Sequence, residues 1–230
     1  MRKPRYDFAY FKAYEFLHRY KIQTFPFDPL PIAAQNHWCI RTYEQLAREL
    51  GVDVFNVVEA FGSYDAMTVY NNRNYAIAYN NGISLKARVM FTLMHEFGHI
   101  VCGHFTDFDI SRIREVLSHD TPEHLYRMLE AEANCFAANA MAPDVLIEKA
   151  HLDSVDKLRL FCGLSKEAAE IRLSSYQVRH RPRLTLYDGG IADNLNRYVS
   201  KIRDMPPALY GATDVIGLSY GDKPNQDFPH

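Results

Sequence analysis

The feature that most constrains this chain is a long apolar helix predicted over about residues 84–102 and ended by Gly103. Within it stands the segment His95-Glu96-Phe97-Gly98-His99. Four residues advance a helix by about 400°, so His95 and His99 project from the same face, one turn apart. Two histidines and a glutamate on a buried helix face cost free energy unless they have polar partners. The rest of the chain must therefore supply such partners.

The spacing of these polar groups suits a metal ion. Two imidazoles one helical turn apart can both reach a Zn²⁺ ion at roughly 2.0–2.1 Å. Glu96 lies to one side, so its carboxylate reaches past the ion toward a bound water molecule. The HExxH pattern is the arrangement that a hydrolytic metalloprotease requires. We therefore predict His95 and His99 as metal ligands and Glu96 as the catalytic residue.

A catalytic zinc ion usually has three protein ligands and one open position, so the third ligand must come from another segment. A second helix is predicted from Thr121, as N-cap, to about Met141, and its alanines would allow close approach. Glu130 and Glu132 lie about 200° apart on this helix, so at most one faces the metal. We predict Glu130, because Asn134 is one turn further on the same face and could hydrogen-bond a ligand histidine. Glu132 is then expected to be a solvent-exposed acid.

The other candidate ligands fit less well. His104 follows His99 by five residues, whereas the longer HExxHxxGxxH pattern would place its third histidine where Phe105 stands. His104 is expected near the C-terminal end of the helix, where the helix dipole favours it, or in the wall of the cleft. The remaining candidates are two histidines expected to be exposed and two aspartates expected in a loop, namely His119, His124, Asp107 and Asp109.

Apolar spacing, caps and breakers predict a mostly helical chain with one hairpin. The helices are predicted at about 6–20, 31–36, 43–50, 54–61, 84–102, 122–141, 154–161 and 166–179. For the run VDVFNVV, residues 52–58, a strand is the alternative. The segments 66–70 and 75–79 are rich in β-forming residues and flank a polar turn, which predicts a β-hairpin. The second of these strands either binds an extended substrate along a free edge or is a covered sheet strand.

Composition limits the classes of function. The chain has 26 lysines and arginines against 28 aspartates and glutamates, and this net charge of −2 argues against binding nucleic acid through bulk positive charge. The N-terminal residues lack the apolar core of a signal peptide, and no run approaches the ~18 apolar residues that cross a bilayer. The four cysteines form no CxxC pair and are expected to be free thiols. We therefore predict a cytoplasmic protein without membrane attachment.

Residues 155–173 suggest one alternative class of function, because they have the helix–glycine turn–helix shape of a DNA-reading unit. Four arginines lie in or after this segment: Arg172, Arg179, Arg181 and Arg183. With a net charge of −2, we favour instead a helical pair that packs on the catalytic domain and ends in a solvated basic segment. Direct DNA binding is therefore not expected.

These motifs together carry a family resemblance. Over about residues 8–178, the chain resembles the ImmA/IrrE-type metallopeptidases, a gluzincin group. The matching segments are FPFDPLPIA, YAIAYN, FTLMHEFGHIVCGH, LEAEANCFAANAMAP and FCGLSKEAAEIRL. The resemblance implies an α+β, zincin-like fold that is mostly helical, with a small sheet edging the active-site cleft. It also implies that His95, His99 and Glu130 are zinc ligands. Glu96 would then be the general base, and Asn134 would form a hydrogen bond with a ligand histidine. By ligand type, Mn²⁺ or Fe²⁺ would also suit this set.

The resemblance also implies a domain organisation and a function. Residues 1–180, with the helical pair at 154–179, are expected to form the metallopeptidase domain, and residues 181–230 a C-terminal extension or tail. The implied activity is site-specific, zinc-dependent cleavage of a helix-turn-helix transcriptional repressor of a mobile element or a stress response. The alternative is a metal-dependent regulatory protein that binds a repressor or DNA without proteolysis. Glu96 argues against this alternative, because a structural zinc site is closed by four ligands and needs no base.

Overall fold

In this computed structural model, the described residues are 3–71, 73–113, 122–178 and 185–206. Within them the chain is mostly helical and has a three-stranded sheet, which confirms the α+β class predicted from the sequence. The strands are β1 (Cys39–Thr42), β2 (Ala66–Tyr70) and β3 (Tyr75–Tyr79). The helices are α1 (Tyr6–Arg19), α2 (Leu30–Gln35), α3 (Tyr43–Leu50), α4 (Val54–Phe61), α5 (Lys86–Val101), α6 (His104–Asp107), α7 (Pro122–Met141), α8 (Asp144–Lys149), α9 (Val155–Cys162), α10 (Lys166–Val178) and α11 (Asp188–Arg203).

The sheet has the strand order β1-β3-β2, so β3 is its central strand. β3 runs parallel to β1, with Ile40 opposite Ile77, and antiparallel to β2, with Thr68 opposite Ile77. The predicted hairpin of β2 and β3 is confirmed. Because β3 is paired on both sides, it has no free edge along which a substrate could bind. Of the two alternatives for this strand, the covered sheet strand is therefore correct, and β2 is an outer strand.

The helices α3 and α4 begin where the sequence predicts, because each has a reciprocal cap. Thr42 Oγ1 accepts a hydrogen bond from the backbone N–H of Gln45 at 3.0 Å, and Gln45 Oε1 accepts one from the backbone N–H of Thr42 at 2.8 Å. Asp53 and Asn56 form the same pair at the start of α4. The cap at Asp53 fixes this segment as a helix, so the strand alternative for it is wrong.

The helices α5 and α7 pack closely at the centre of the molecule, and their contact depends on one glycine. A Cβ atom at Gly98 would lie 3.0 Å from both the Cα atom and the carbonyl oxygen of Ala133, and 3.2 Å from Phe136 Cδ1. Ala133 is fully buried at this contact. Small residues on both helices therefore permit the close approach that the alanines of α7 predicted.

We expect Gly98→Val to destabilise the protein by about 1–3 kcal/mol, because the added side chain overpacks the contact between α5 and α7. The measurement is urea-induced unfolding of the metal-free protein, followed by circular dichroism. Gly189→Ala in α11 is the matched control, since a Cβ atom there meets nothing within 4 Å and alanine favours the helix. An unchanged unfolding midpoint for Gly98→Val would show that the two helices can separate without cost.

The helix α11 is an element that the sequence pattern did not predict. Its buried residues are spaced by three or four positions and belong to the main hydrophobic core: Ile191, Leu195, Val199 and Ile202. The helix packs against α1 and α8. This apolar spacing could have predicted the helix. From residue 181 onward we instead predict an extension or tail. The division of the chain at residue 180 stays a prediction.

Several predictions concern residues outside the described ranges. These are the N-cap role of Thr121, the exposure of His119, and the basic cluster of Arg179, Arg181 and Arg183. Residues 181–184 and 207–230 of the predicted C-terminal extension also lie outside them.

No helix in the described ranges combines the length and the apolar composition that a membrane span requires. With 20 residues, α7 is long enough. However, it carries charged side chains along its length, namely Glu123, Arg127, Glu130 and Glu132.

Candidate metal centre

Three of the predicted site residues converge between α5 and α7. His95 and His99 project from α5 and Glu130 from α7, and their ligand atoms all lie within 4.8 Å of one another. The Nε2 atoms of His95 and His99 are 3.0 Å apart. Glu130 Oε2 lies 3.3 Å from His95 Nε2, and Glu130 Oε1 lies 3.5 Å from His99 Nε2. The structure thus brings together the three residues predicted as metal ligands.

The donor set of this group fits a divalent metal ion. Two imidazole nitrogens and one carboxylate oxygen are typical protein ligands of a catalytic zinc site, which keeps one position open. The same set suits Fe²⁺ and Mn²⁺. His99 is buried, whereas the side chains of His95 and Glu130 are 15% and 29% exposed. The group is therefore a site that a metal ion and a substrate can reach from solvent.

The shifted pKa values of His99 and Glu130 favour the protonation states that a metal ion requires. Burial lowers the pKa of His99 to about 3, so its imidazole is neutral near pH 7. Burial raises the pKa of Glu130, but hydrogen bonds with His95 and His99 outweigh burial, and the net pKa is lowered. Burial lowers the pKa of His95, but Glu130 and Glu96 outweigh it and the net pKa is raised. The raised pKa of His95 favours its protonated form, so a metal ion bound there would have to displace a proton. The two carboxylates supply negative charge that a cation would neutralise.

Glu96 lies on α5 between the two histidines but outside the metal group. Its side chain is buried, and Thr68 Oγ1 donates a hydrogen bond of 2.5 Å to Glu96 Oε2. Burial raises the pKa of Glu96, against the opposing effects of His95 and of this hydrogen bond. A carboxylate with a raised pKa is a stronger base, which suits general base catalysis near neutral pH. Thr68 was not predicted, since nothing in its sequence context distinguishes it from other strand threonines.

Asn134 lies one turn after Glu130 on α7 and contacts the ring of His95. Asn134 Oδ1 is 2.9 Å from His95 Nδ1. An amide oxygen only accepts hydrogen bonds, so this contact places the proton of a neutral His95 on Nδ1. Nε2 then keeps its lone pair, directed into the metal group.

Glu132, predicted to be exposed, is instead fully buried. The reason is that α7 packs against α1 as well as α5, so the face that carries Glu132 is covered. Glu132 accepts hydrogen bonds from the backbone N–H of Arg5 at 2.8 Å and from Arg5 Nη2 at 2.9 Å. A signal for this burial was present, because neighbours three or four positions away on α7 are apolar: Met128, Leu129, Cys135 and Phe136.

His104 is also placed differently from the prediction. Gly103 ends the preceding turn with a φ of 76°, and His104 begins the short helix α6 with its side chain fully buried. His104 Nδ1 lies 2.8 Å from His99 Nδ1, and His104 Nε2 lies 3.2 Å from Glu132 Oε2. The expectation that His104 ends a helix or lines the cleft is therefore wrong, because the turn at Gly103 directs it back toward His99.

Three of the weaker candidate ligands, Asp107, Asp109 and His124, lie apart from the metal group. Asp107 ends α6 rather than standing in a loop, and its Oδ2 lies 3.6 Å from Arg5 Nη1. Asp109 follows in a turn with a φ of 50°. His124, near the start of α7, is exposed as predicted.

The metal group opens into a cleft of about 1010 Å³. The walls of the cleft include residues of β2, α5, α7 and α10. Met67 and Thr68 line it from the outer strand β2, and Ala168 and Ile171 line it from α10. The small sheet therefore edges the cleft, as the predicted fold class implies, and a volume of this size can hold a peptide segment.

Comparison with known proteins agrees with the sequence motifs. A family model described as the IrrE N-terminal-like domain, Peptidase_M78, matches residues 47–174, which is more than half of the chain. The matched range extends from α3 to α10 and includes His95, Glu96, His99 and Glu130. No curated protein matches the chain. The chain therefore belongs to the Peptidase_M78 family, whose members are metal-dependent peptidases.

Proposed function

We propose that this chain is a zinc-dependent endopeptidase with His95, His99 and Glu130 as metal ligands and Glu96 as general base. The observation that carries the proposal is the convergence of two imidazole nitrogens and a carboxylate oxygen within 4.8 Å in the wall of a large cleft. Membership in a peptidase family supports hydrolysis of a peptide bond. Zinc is proposed from the ligand types, with Mn²⁺ or Fe²⁺ as alternatives.

The residues of the site divide the chemistry between them. A bound Zn²⁺ ion would supply a Lewis acid for the scissile carbonyl and lower the pKa of a water molecule to roughly 7. A carboxylate oxygen of Glu96 accepts the proton of the attacking water and later donates it to the nitrogen of the leaving amine. The hydroxyl of Thr68 holds the other oxygen of Glu96, so the carboxylate keeps one orientation through both transfers.

The outer edge of β2 supports the binding of an extended substrate. Backbone groups along a strand point alternately to its two sides. The N–H of Tyr70 points away from β3, because it donates to the carbonyl oxygen of Ser111 at 2.8 Å. By this alternation, Ala66 and Thr68 direct their peptide groups to the same side, and both residues line the cleft. A substrate segment would add along this edge through backbone hydrogen bonds.

We propose a protein substrate, namely a helix-turn-helix transcriptional repressor of a mobile element or a stress response, cut at a specific site in the cytoplasm. The support for this substrate is the ImmA/IrrE resemblance of the motifs around His95 and Glu130. The alternative remains a metal-dependent regulatory protein that binds a repressor or DNA without cutting it. The two candidates differ in whether new peptide ends appear.

We expect the zinc-loaded protein to cut the repressor encoded beside its own gene into discrete fragments. A chelator should stop the cleavage, and added Zn²⁺ should restore it. His99→Ala should lose both bound metal and cleavage, because it removes one ligand of three. Glu123→Gln should change neither, since Glu123 stands on the same helix as Glu130 but is 72% exposed and pairs with Arg127. Mass spectrometry of the products gives the cleavage site, and inactivation of the repressor without fragments would support the alternative.

A further inference from the structure

A line of four side chains leads from the metal group to the N-terminal segment. His99 Nδ1 lies 2.8 Å from His104 Nδ1, and His104 Nε2 lies 3.2 Å from Glu132 Oε2. Glu132 in turn accepts hydrogen bonds from three groups of Arg5. The backbone N–H donates to Oε1 at 2.8 Å, and the side-chain Nε and Nη2 donate to Oε2 at 3.1 Å and 2.9 Å. His104 and Glu132 are fully buried, and His99 is 2% exposed. These contacts have no part in the chemistry assigned to the site so far.

Only one arrangement of protons along this line leaves His99 able to bind a metal ion. The Nε2 atom of His99 faces His95 and Glu130, so it needs a free lone pair and the ring must carry its proton on Nδ1. That N–H then donates to His104 Nδ1. His104 must therefore carry its own proton on Nε2, where it donates to Glu132 Oε2.

The carboxylate of Glu132 is the group that selects this arrangement. An ionised carboxylate accepts hydrogen bonds and cannot donate them, so it requires the proton of His104 on Nε2. If that proton moved to Nδ1, His104 would present an N–H to His99 Nδ1. A neutral His99 would then carry its proton on Nε2, the atom directed at the metal group.

Arg5 holds the carboxylate in place. Its guanidinium and backbone N–H contact both oxygens of Glu132, which is the bidentate geometry that fixes a carboxylate most firmly. Arg5 precedes α1, and 127 residues separate it from Glu132. The N-terminal segment is thereby linked, through Glu132 and His104, to His99 of the metal group.

We infer that Glu132 and Arg5 act through His104 as positioning residues, which hold His99 in the tautomer that binds a metal ion through Nε2. The inference rests on the proposed function in so far as His99 is a ligand. It goes beyond that function by assigning roles to three residues outside the ligand set and by linking metal affinity to the N-terminal segment.

The first test measures the affinity of the full chain for Zn²⁺ by competition with a chromophoric chelator. We expect His104→Phe and Glu132→Gln to weaken zinc binding by about 10–100-fold, the usual effect of removing a partner of a metal-ligating histidine. The amide of the glutamine presents N–H donors either to His104 or to Arg5, so it cannot replace the carboxylate. Arg5→Met should weaken binding less, because its backbone N–H still contacts Glu132.

Matched controls separate this effect from a general loss of charge. Glu123→Gln neutralises an exposed glutamate on α7. Lys12→Met removes a cation from α1 that pairs locally with Glu15. Neither control contacts the line of four side chains, so neither should change zinc affinity. The buried variants His104→Phe and Glu132→Gln could weaken zinc binding by disturbing the fold. Arg5→Met tests the same contacts with less risk to the fold, because the side chain of Arg5 is 41% exposed.

A second readout does not depend on metal. Long-range ¹H–¹⁵N spectra of the metal-free protein report which ring nitrogen of each histidine carries a proton. We expect the proton of His99 on Nδ1 and that of His104 on Nε2 in the wild type, with a changed or mixed tautomer of His99 in Glu132→Gln. Arg5→Met should shift the same populations in the same direction.

The two readouts distinguish the failure of this inference from the failure of the proposed function. A wild-type chain that binds no Zn²⁺ but keeps the expected tautomers would overturn the metallopeptidase proposal alone. Variants that bind Zn²⁺ as tightly as the wild type, with the tautomer of His99 unchanged, would overturn the inference and reduce the four contacts to structural ones.

Discussion

Glu96→Gln is expected to lower the rate of repressor cleavage by about 10²–10⁴-fold, the usual contribution of a general acid–base residue. The amide cannot accept a proton from water at neutral pH, yet it keeps the length and shape of the glutamate. Glu96 lies outside the group of three ligand donors, so zinc affinity should stay close to that of the wild type. The measurements are single-turnover cleavage of the repressor and zinc affinity by competition with a chelator.

The control for this prediction is a second glutamate in the same cleft. Glu167 lines the cleft from the first turn of α10 and is exposed, so Glu167→Gln removes an equal charge without touching the metal group. It should slow cleavage far less than Glu96→Gln does, because it contacts neither the metal ligands nor Glu96. If Glu96→Gln cuts as fast as Glu167→Gln while binding zinc normally, another group must accept the proton, and the assignment of Glu96 as general base fails.

The part of the site that the sequence could predict is the part governed by helical geometry. The one-turn spacing of His95 and His99 depends only on the pitch of α5. The angle between Glu130 and Glu132 on α7 lets only one of them face the metal, and the one-turn spacing of Glu130 and Asn134 favours Glu130. Such angles are the same in any fold, so they can be worked out before the fold is known. The structure brings His95, His99 and Glu130 together accordingly.

The part that the sequence did not yield depends on how distant segments pack. Thr68 reaches Glu96 because the outer strand of the sheet lies against α5, and no local pattern carries that information. Arg5 and Glu132 are 127 residues apart. The burial of Glu132 follows from the packing of α1 on α7. The sequence predicts one solvent-exposed face for α7, whereas the structure covers this helix on two sides. Only the apolar neighbours of Glu132 hinted at this arrangement.

Arg172→Met is expected to destabilise the fold by about 3–5 kcal/mol, because it leaves a buried carboxylate without its counter-charge. The side chains of Arg172 and Asp144 are each only 1% exposed, and they form a direct ion pair between α10 and α8. Arg172 Nε also donates to the carbonyl oxygen of Ala142 at 2.8 Å, and Tyr10 donates its hydroxyl proton to Asp144 Oδ2 at 3.0 Å. One buried network therefore joins α1, α8 and α10. The free energy of unfolding of the metal-free protein in urea gives the size of the effect.

The same prediction bears on the alternative that residues 155–173 read DNA. Arg172 is one of the four arginines that the helix–turn–helix pattern suggested as a basic surface, yet it faces the core and is bound by Asp144. Arg172→Met combined with Asp144→Asn should recover much of the lost stability, since no charge is then left buried. Arg159→Met in α9 should cost less than about 1 kcal/mol, because the pair of Arg159 with Asp156 is exposed. If Arg172→Met lost as little stability as Arg159→Met, the burial of Arg172 would contribute little to the fold. Arg172 could then leave the core and contact DNA.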